Sequence, residues 1–261
     1  MLAIVRTATV SEVTRRIDAE MDRAPGGAIA TDGDGTLWSG DIGEDFFAAL
    51  LQGDRLLSTV HEPLAREAEA EGIATDGSAV EIAHRIHAAY LAGTFPEERV
   101  CEVMTWAVAG WRADDVDAFA DEVVRAVGLA GRLHGEALRV VEHARSRGVP
   151  VYLVSASPRP IVFAAARLVG IEPDRVTAAM EQTDGDGTVL PGVHRPIPYG
   201  EGKVKRLREK LGDRPLYAAM GDNAFDVALL NASRTPIAIR PKARLVERAA
   251  EVADLVVLER A

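Results

Sequence analysis

The chain of 261 residues holds a single cysteine, Cys101. That excludes an internal disulfide and any zinc or iron–sulfur site built from several cysteines, and it fits a reducing compartment. Lysine is nearly as scarce, with Lys203, Lys205, Lys210 and Lys242 the only four among 30 basic residues. No stretch approaches the roughly 20 apolar residues that a membrane span needs. The N-terminal region lacks both an apolar signal-peptide core and a small-residue cleavage site. These absences lead us to expect a cytoplasmic protein with no membrane partner. Positive charge is in deficit too: 30 basic residues against 40 acidic ones give a net charge of −10, which argues against nucleic acid or an anionic lipid surface as partner. The same deficit is a puzzle if the substrate is an anion.

Apolar residues are plentiful. At 48% of the chain they can build a sizeable core without metal or disulfide support, and the length suits one large α/β domain or a core carrying an insert. Residues 1–25 read as an amphipathic helix, with Ser11 as its cap and Val13, Ile17 and Met21 on one face. After Gly26-Gly27, the run Ala28-Ile29-Ala30-Thr31 reads as a buried strand ending at the polar turn Asp32-Gly33-Asp34-Gly35-Thr36. From residue 45 to 129 apolar residues recur at helical spacing, as in Phe46, Phe47, Leu50 and Leu51 or Ile82, Ile86 and Tyr90, with no convincing strand. This predicts an all-helical inserted domain at 45–129, set into an α/β core of 1–44 and 130–261. In the second half strands and helices alternate: strands at 149–154, 175–180, 216–220, 235–239 and 254–258, helices at 136–147, 160–168, 203–211, 224–230 and 242–250, and a hairpin at 183–193. Such alternation implies a doubly wound, mostly parallel sheet of the Rossmann type.

Three polar groups then fall just past apolar strands, where open α/β sheets bind ligands. Asp32 and Asp34 follow the first strand, Ser155 the second, and Asp222 with Asp226 the run Leu216 to Met220. Carboxylates converging there would repel one another unless a cation sat among them, and Mg²⁺, a hard ion with oxygen ligands, suits them. A lysine such as Lys203 could neutralise a phosphate oxygen. In this lysine-poor chain its placement after Gly200-Glu201-Gly202 favours it over Lys205.

These features resemble the haloacid dehalogenase superfamily, in its phosphoserine-phosphatase-like branch with a helical cap. The resemblance rests on Asp32-x-Asp34-x-Thr36, Ser155 after Val151 to Val154, Lys203 in Gly202-Lys203, and Gly221-Asp222-x-x-x-Asp226, four motifs in the family's order. It covers essentially the whole chain beyond the N-terminal helix, and the insert lies where that branch carries its cap. The resemblance implies an aspartyl-phosphate mechanism. Asp32 would be the nucleophile, Asp34 the acid and then the base, with Thr36 orienting Asp34. Ser155 and Lys203 would hold the phosphoryl oxygens. Asp32, Asp34 through its backbone carbonyl, and Asp222 would bind Mg²⁺, with Asp226 in support. A carboxylate two residues past the nucleophile also implies an alkoxide leaving group that needs a proton, hence a phosphate ester. The bound Mg²⁺ and Lys203 would make the acidic cluster attractive to phosphate, which answers the charge puzzle.

Asp41 lies nine residues past Asp32, where the phosphoserine phosphatases of this resemblance carry a glutamate that meets the substrate amine. With Glu44 beside it, it suits a small phosphomonoester bearing an ammonium group, phosphoserine- or phosphocholine-like, although a solvated loop acid is an equal reading. Ser155-Ala156-Ser157-Pro158 departs from the glycines usual after that serine, which weakens a claim to phosphoserine itself. The alternatives are a phosphotransferase to an alcohol and an inactive phosphate- or metal-binding module. Two further patterns read as structural. A second Asp-Gly-Asp-Gly-Thr, at Asp184 to Thr188, sits between extended segments as a hairpin turn, and the first copy cannot be an EF-hand because Gly43 stands where the twelfth-position glutamate belongs. His84 and His87 lack a third ligand. Cys101 reads as a small buried hydrophobe and Trp106, Trp111 and Tyr90 as core of the insert.

Overall fold

The computed structural model describes residues 6–260. Its elements, in order, are β1 (Arg6–Ala8), α1 (Val10–Arg23), β2 (Ala28–Thr31), α2 (Ile42–Gln52), α3 (His61–Ala70), α4 (Ala79–Leu91), α5 (Glu97–Trp106), α6 (Ala113–Ala126) and α7 (Gly135–Ser146). There follow β3 (Val151–Pro158), α8 (Arg159–Leu168), β4 (Val176–Ala179), β5 (Glu181–Thr183), β6 (Val189–Val193), α9 (Glu201–Leu211), β7 (Leu216–Gly221), α10 (Val227–Asn231), β8 (Thr235–Ala238), α11 (Ala243–Glu247) and β9 (Val256–Leu258).

Seven strands form one parallel sheet in the order β1-β9-β8-β7-β2-β3-β4. Strands β2 and β7 are buried along their whole length, because a parallel sheet is covered on both faces. Alternate side chains divide between two cores. Ile29, Leu153 and Met220 join the larger one. Ala28, Ala30, Tyr152, Val154 and Ala219 pack with Leu207, Leu211, Leu229 and Leu230 of the helices on the other face, as the two-residue period of a strand dictates. From β2 the chain moves outward through β3 and β4, then resumes on the other side of β2 with β7, β8 and β9. The order reverses at the β2/β7 pair, and the crevice past the carboxyl ends of those strands is where such sheets bind ligands.

Between β2 and β3 all five elements of eight or more residues before α7 are helices, α2 to α6. The hairpin of β5 and β6 is separate from the main sheet and reaches this helical segment. Gly110 N donates to Val189 O at 2.8 Å, Val189 N to Trp111 O at 2.9 Å and Ala113 N to Gly187 O at 3.0 Å. The hairpin's turn is the second Asp-Gly-Asp-Gly-Thr, where Asp184 Oδ1 accepts from Asp186 N and Thr188 N.

The N-terminal expectation needs correction. The helix starts at Val10, capped by Thr9 and not Ser11: Thr9 Oγ1 accepts from Glu12 N at 3.1 Å and Glu12 Oε2 from Thr9 N at 2.8 Å. This reciprocal pair satisfies two donors, which Ser11 could not do from inside the first turn. Arg6–Ala8 form an edge strand against β9, and the rest of the expected helix, residues 1–5, lies outside the described residues. Val13 and Ile17 are buried and Met21 is half-buried. Strand β3 runs on through Ser155 to Pro158, beyond its expected end. Among the described residues no helix is long and apolar enough to cross a membrane.

Candidate active site

The site begins where β2 ends. Asp32 N donates to Met220 O of β7 at 2.9 Å, so the sheet ladder itself sets the position of the Asp32 side chain. Its carboxylate is buried and held at both oxygens: Lys203 Nζ donates to Oδ1 at 2.6 Å and Thr36 Oγ1 to Oδ2 at 3.2 Å. Lys203 comes from the first turn of α9, is 1% exposed, and also donates to Asp226 Oδ1. Its helix start can approach this closely because position 202 is glycine; a Cβ there would meet Ile197 O at 2.1 Å. Lys205 is exposed.

Past β7, Asp222 and Asp226 complete an acidic group with Asp32, their carboxylate oxygens lying within 4.8 Å of one another. Asp226 Oδ2 accepts from Asp222 N at 3.0 Å and Asn223 N at 2.9 Å, which leaves Asp226 with both oxygens engaged. Asp222 differs. Lys242 Nζ stands 3.0 Å from its Oδ2, yet off the direction of a hydrogen bond, so this buried oxygen has no donor. Gly35, at φ +76°, lies against it; a Cβ there would come within 2.1 Å of Asp222 Oδ2. Burial, with the neighbouring Asp226 next, pushes Asp222 up to about 6. Burial likewise raises Asp32 well above the usual carboxylate range, with Lys203 opposing it. Burial works against the Lys203 charge, but Asp226 and Asp32 outweigh it and hold its pKa above the ordinary lysine value. Three buried carboxylates with one orphaned oxygen and hard donors throughout are a set that Mg²⁺ fits.

Asp34 faces the other way. Its Oδ1 accepts from Trp38 Nε1 and from Ile42 N, each at 2.8 Å, and its Oδ2 from Ser157 Oγ at 2.7 Å and Ser155 Oγ at 3.4 Å. The carboxylate is thus outside the acidic group, and one expectation changes. Thr36 does not orient Asp34; its hydroxyl goes to Asp32 and lies 3.5 Å from Asp222 Oδ1, because the turn points it back at the strand end. Asp34 is oriented instead by Trp38, the start of α2, and Ser157.

These residues open on a cavity of about 280 Å³ between the sheet and the helical segment. Its lining includes Asp32, Asp34, Ser155, Lys203 and Lys242 from the core and Asp41, Glu44, Tyr90, Glu97 and Cys101 from the helical segment and its entrance. Asp41 caps α2 by accepting from Glu44 N at 2.9 Å, and burial, then the nearby Asp34, pushes its carboxyl well up. Glu44 Oε1 accepts from Tyr90 Oη at 2.9 Å. Tyr199 and Phe225, with ring centroids 4.9 Å apart, form a side wall. Tyr90 therefore packs against the core of the segment, as expected, and also turns its hydroxyl into the cavity toward Glu44. Cys101 is likewise a half-buried wall residue, with its thiol pushed up by burial. Trp106 is buried and Trp111 partly so. His84 is exposed, and His87 packs edge-on against Phe47. Sequence reasoning missed Lys242, Ser157, Glu97, Tyr199 and Phe225. Lys242 alone carried a signal, the Pro241-Lys242 pair just past an apolar strand.

The profile described as haloacid dehalogenase-like hydrolase matches residues 29–231. No curated protein matches. Among solved structures, a protein of unknown function from Bordetella pertussis Tohama I is 24% identical, covering 89% of this chain and 97% of its own at a TM-score of 0.67. A family hydrolase from Salmonella enterica serovar Typhi is 14% identical over 94% and 76%, with a TM-score of 0.53. A substrate-bound phosphoserine phosphatase is 16% identical over 88% and 92%, with a TM-score of 0.52. These likenesses are of fold.

Proposed function

The chain belongs to the haloacid dehalogenase-like hydrolase family, and on that premise we propose that it is a Mg²⁺-dependent phosphatase of small phosphomonoesters. The observation that carries the reading is the pair of carboxylates in opposite settings: Asp32 held by Lys203 among buried acids, and Asp34 held by hydroxyls and N–H groups a few ångströms along the same turn. Asp32, Asp222 and the backbone carbonyl of Asp34 would hold Mg²⁺, with Asp226 supporting through Lys203 and the Asp222 amide. When bound, Mg²⁺ supplies positive charge against the phosphoryl oxygens.

An Asp32 carboxylate oxygen bonds to phosphorus as the ester P–O bond breaks, giving an aspartyl-phosphate and an alkoxide. The alkoxide takes its proton from Asp34, and the hydrogen bonds favour one oxygen for it. Asp34 Oδ1 faces two N–H donors, which cannot accept, so a proton cannot sit there. Oδ2 faces the hydroxyls of Ser155 and Ser157, which can rotate to accept. Asp34 Oδ2 is the proton carrier. It then takes a proton from the water that attacks the aspartyl-phosphate, releasing phosphate and restoring Asp32. Lys203 and Ser155 offset the phosphoryl charge.

We read residues 45–129 as a cap over the core of 1–44 and 130–261, which favours a small ester and excludes water during transfer. Asp41 and Glu44 in the cavity wall suit an ammonium-bearing substrate. The test is a Mg²⁺-dependent assay on an aryl phosphate, then on phosphomonoesters with and without an amine. Asp32→Asn is expected to abolish turnover while the protein stays folded; equal rates in both proteins would overturn the nucleophile. Asp41→Asn is expected to impair amine-bearing esters selectively, and uniform loss would remove that role.

A further inference from the structure

Lys242 is the one cavity cation that the four motifs do not contain, and its placement is built rather than incidental. Its backbone N donates to Asp222 O at 2.8 Å, and Ile239 N donates to Gly221 O at 2.9 Å, so the loop past β8 runs fixed alongside the end of β7. Between them Arg240 adopts φ +42°, a left-handed conformation that costs a residue with a Cβ about 1 kcal/mol or more. Its guanidinium grips the wholly buried Glu136, Nε to Oε1 at 2.7 Å and Nη2 to Oε2 at 3.2 Å. This bidentate pair anchors the strained residue. The outcome is that Lys242 Nζ is delivered to 3.0 Å from the buried Asp222 Oδ2, without a hydrogen bond to it, while its side chain is 55% exposed and lines the cavity.

Charge bookkeeping explains what such a lysine does. Asp32, Asp222 and Asp226 carry three negative charges. Lys203 is committed to Asp32 and Asp226, so the cation paired directly with Asp222 is Lys242. We propose, resting on the Mg²⁺ reading above, that Lys242 is a switching counter-ion: it neutralises Asp222 while no divalent ion is bound, and once one takes Asp222 its ammonium turns into the cavity toward the substrate's anionic group. A pair lacking a hydrogen bond and half open to solvent is suited to release, whereas Lys203, buried and doubly bonded, is not. Lys242 would thus lower the affinity for the metal and raise that for the phosphoryl group.

The two effects have opposite signs, which a merely structural role would not produce. Mg²⁺ alone, titrated calorimetrically into the full chain, is expected to bind Lys242→Met about tenfold more tightly than wild type, the size expected for a half-screened pair. Inorganic phosphate, titrated in saturating Mg²⁺, is expected to bind the same variant severalfold more weakly. Lys242→Arg keeps the charge and should stay near wild type in both. Unchanged or weaker Mg²⁺ binding by Lys242→Met overturns the counter-ion, unchanged or tighter phosphate binding overturns the release, and an arginine variant behaving like methionine shows that charge is not the cause. A wild-type protein that binds no Mg²⁺ overturns the metal reading itself and this inference with it.

Discussion

Removing the Lys203 ammonium should destabilise the fold as well as stop the chemistry, and the size of that loss can be worked out. Lys203 Nζ lies 2.6 Å from Asp32 Oδ1 and also bonds Asp226, with side-chain exposures of 2%, 7% and 0%. At an effective dielectric constant of about 20, one such pair gains about 6 kcal/mol of Coulomb energy, most of it offset by the several kcal/mol needed to desolvate each ion. The intact triad is therefore close to neutral for stability. Deleting one member is not, because the desolvation of the others is then uncompensated, at about 3–5 kcal/mol. Lys203→Met keeps the stem and removes the charge, so urea unfolding without divalent ions should show that loss. Asp226→Asn keeps an oxygen for the Asp222 and Asn223 amides while removing its charge. The double variant should be more stable than the two single losses predict, by a coupling of about 2 kcal/mol or more. Losses that add within about 0.5 kcal/mol would refute the view that Lys203 is compensating buried carboxylates.

Two further outcomes follow from the geometry. Gly35→Ala forces a Cβ into Asp222 Oδ2 and strains a left-handed backbone; thermal unfolding should show a loss of about 1–3 kcal/mol and calorimetry a weakened Mg²⁺ affinity, and unaltered affinity would count against Asp222 as a ligand. Glu136 is pulled below its ordinary 4.5: burial pushes it up, but the Arg240 hydrogen bonds outweigh that. A carboxylate lowered in the fold stabilises above its unfolded value and loses that contribution as the pH falls through the folded one. Glu136→Gln should cost about 1–2 kcal/mol at neutral pH, with the gap from wild type closing in acid, and a gap that widened in acid would reverse the assignment.

Much of the fold could be read from sequence, because the signals were local. The runs Ala28–Thr31 and Leu216–Met220 are apolar without helical period, as strands buried on both faces must be, and α7, α8 and α9 lie between the expected breaks. Strand β1 escaped because Arg6–Ala8 has no pattern of its own; it is a strand only because β9 offers an edge. The polar positions at strand ends located the acidic group for the same reason that the fold was readable. Thr36, Tyr90 and Lys242 were misread or missed since their roles depend on direction: which way a turn points a hydroxyl, which helix closes over Glu44, and where an ion pair at Glu136 holds a loop. A lysine opening a short helix looks like a solvated charge until Asp222 is seen beneath it.

The hairpin of β5 and β6 leaves the cavity with two walls held in different ways. By backbone hydrogen bonds it clamps residues 110–113, between α5 and α6, to the same body that carries Asp32 and Lys203. Among the described residues, α3 and α4 have no backbone bond to the sheet or the hairpin. The start of α5 meets the core through Glu97 Oε2 and the exposed Arg244 Nη1, 3.1 Å apart. The wall carrying Asp32 and Lys203 is thus tied to the sheet through the backbone, whereas α4, which carries Tyr90, is held by side-chain packing alone. On the function proposed above, such a division would let the alcohol portion of a substrate vary on the side of α4 without disturbing the alignment that bond breaking requires on the other.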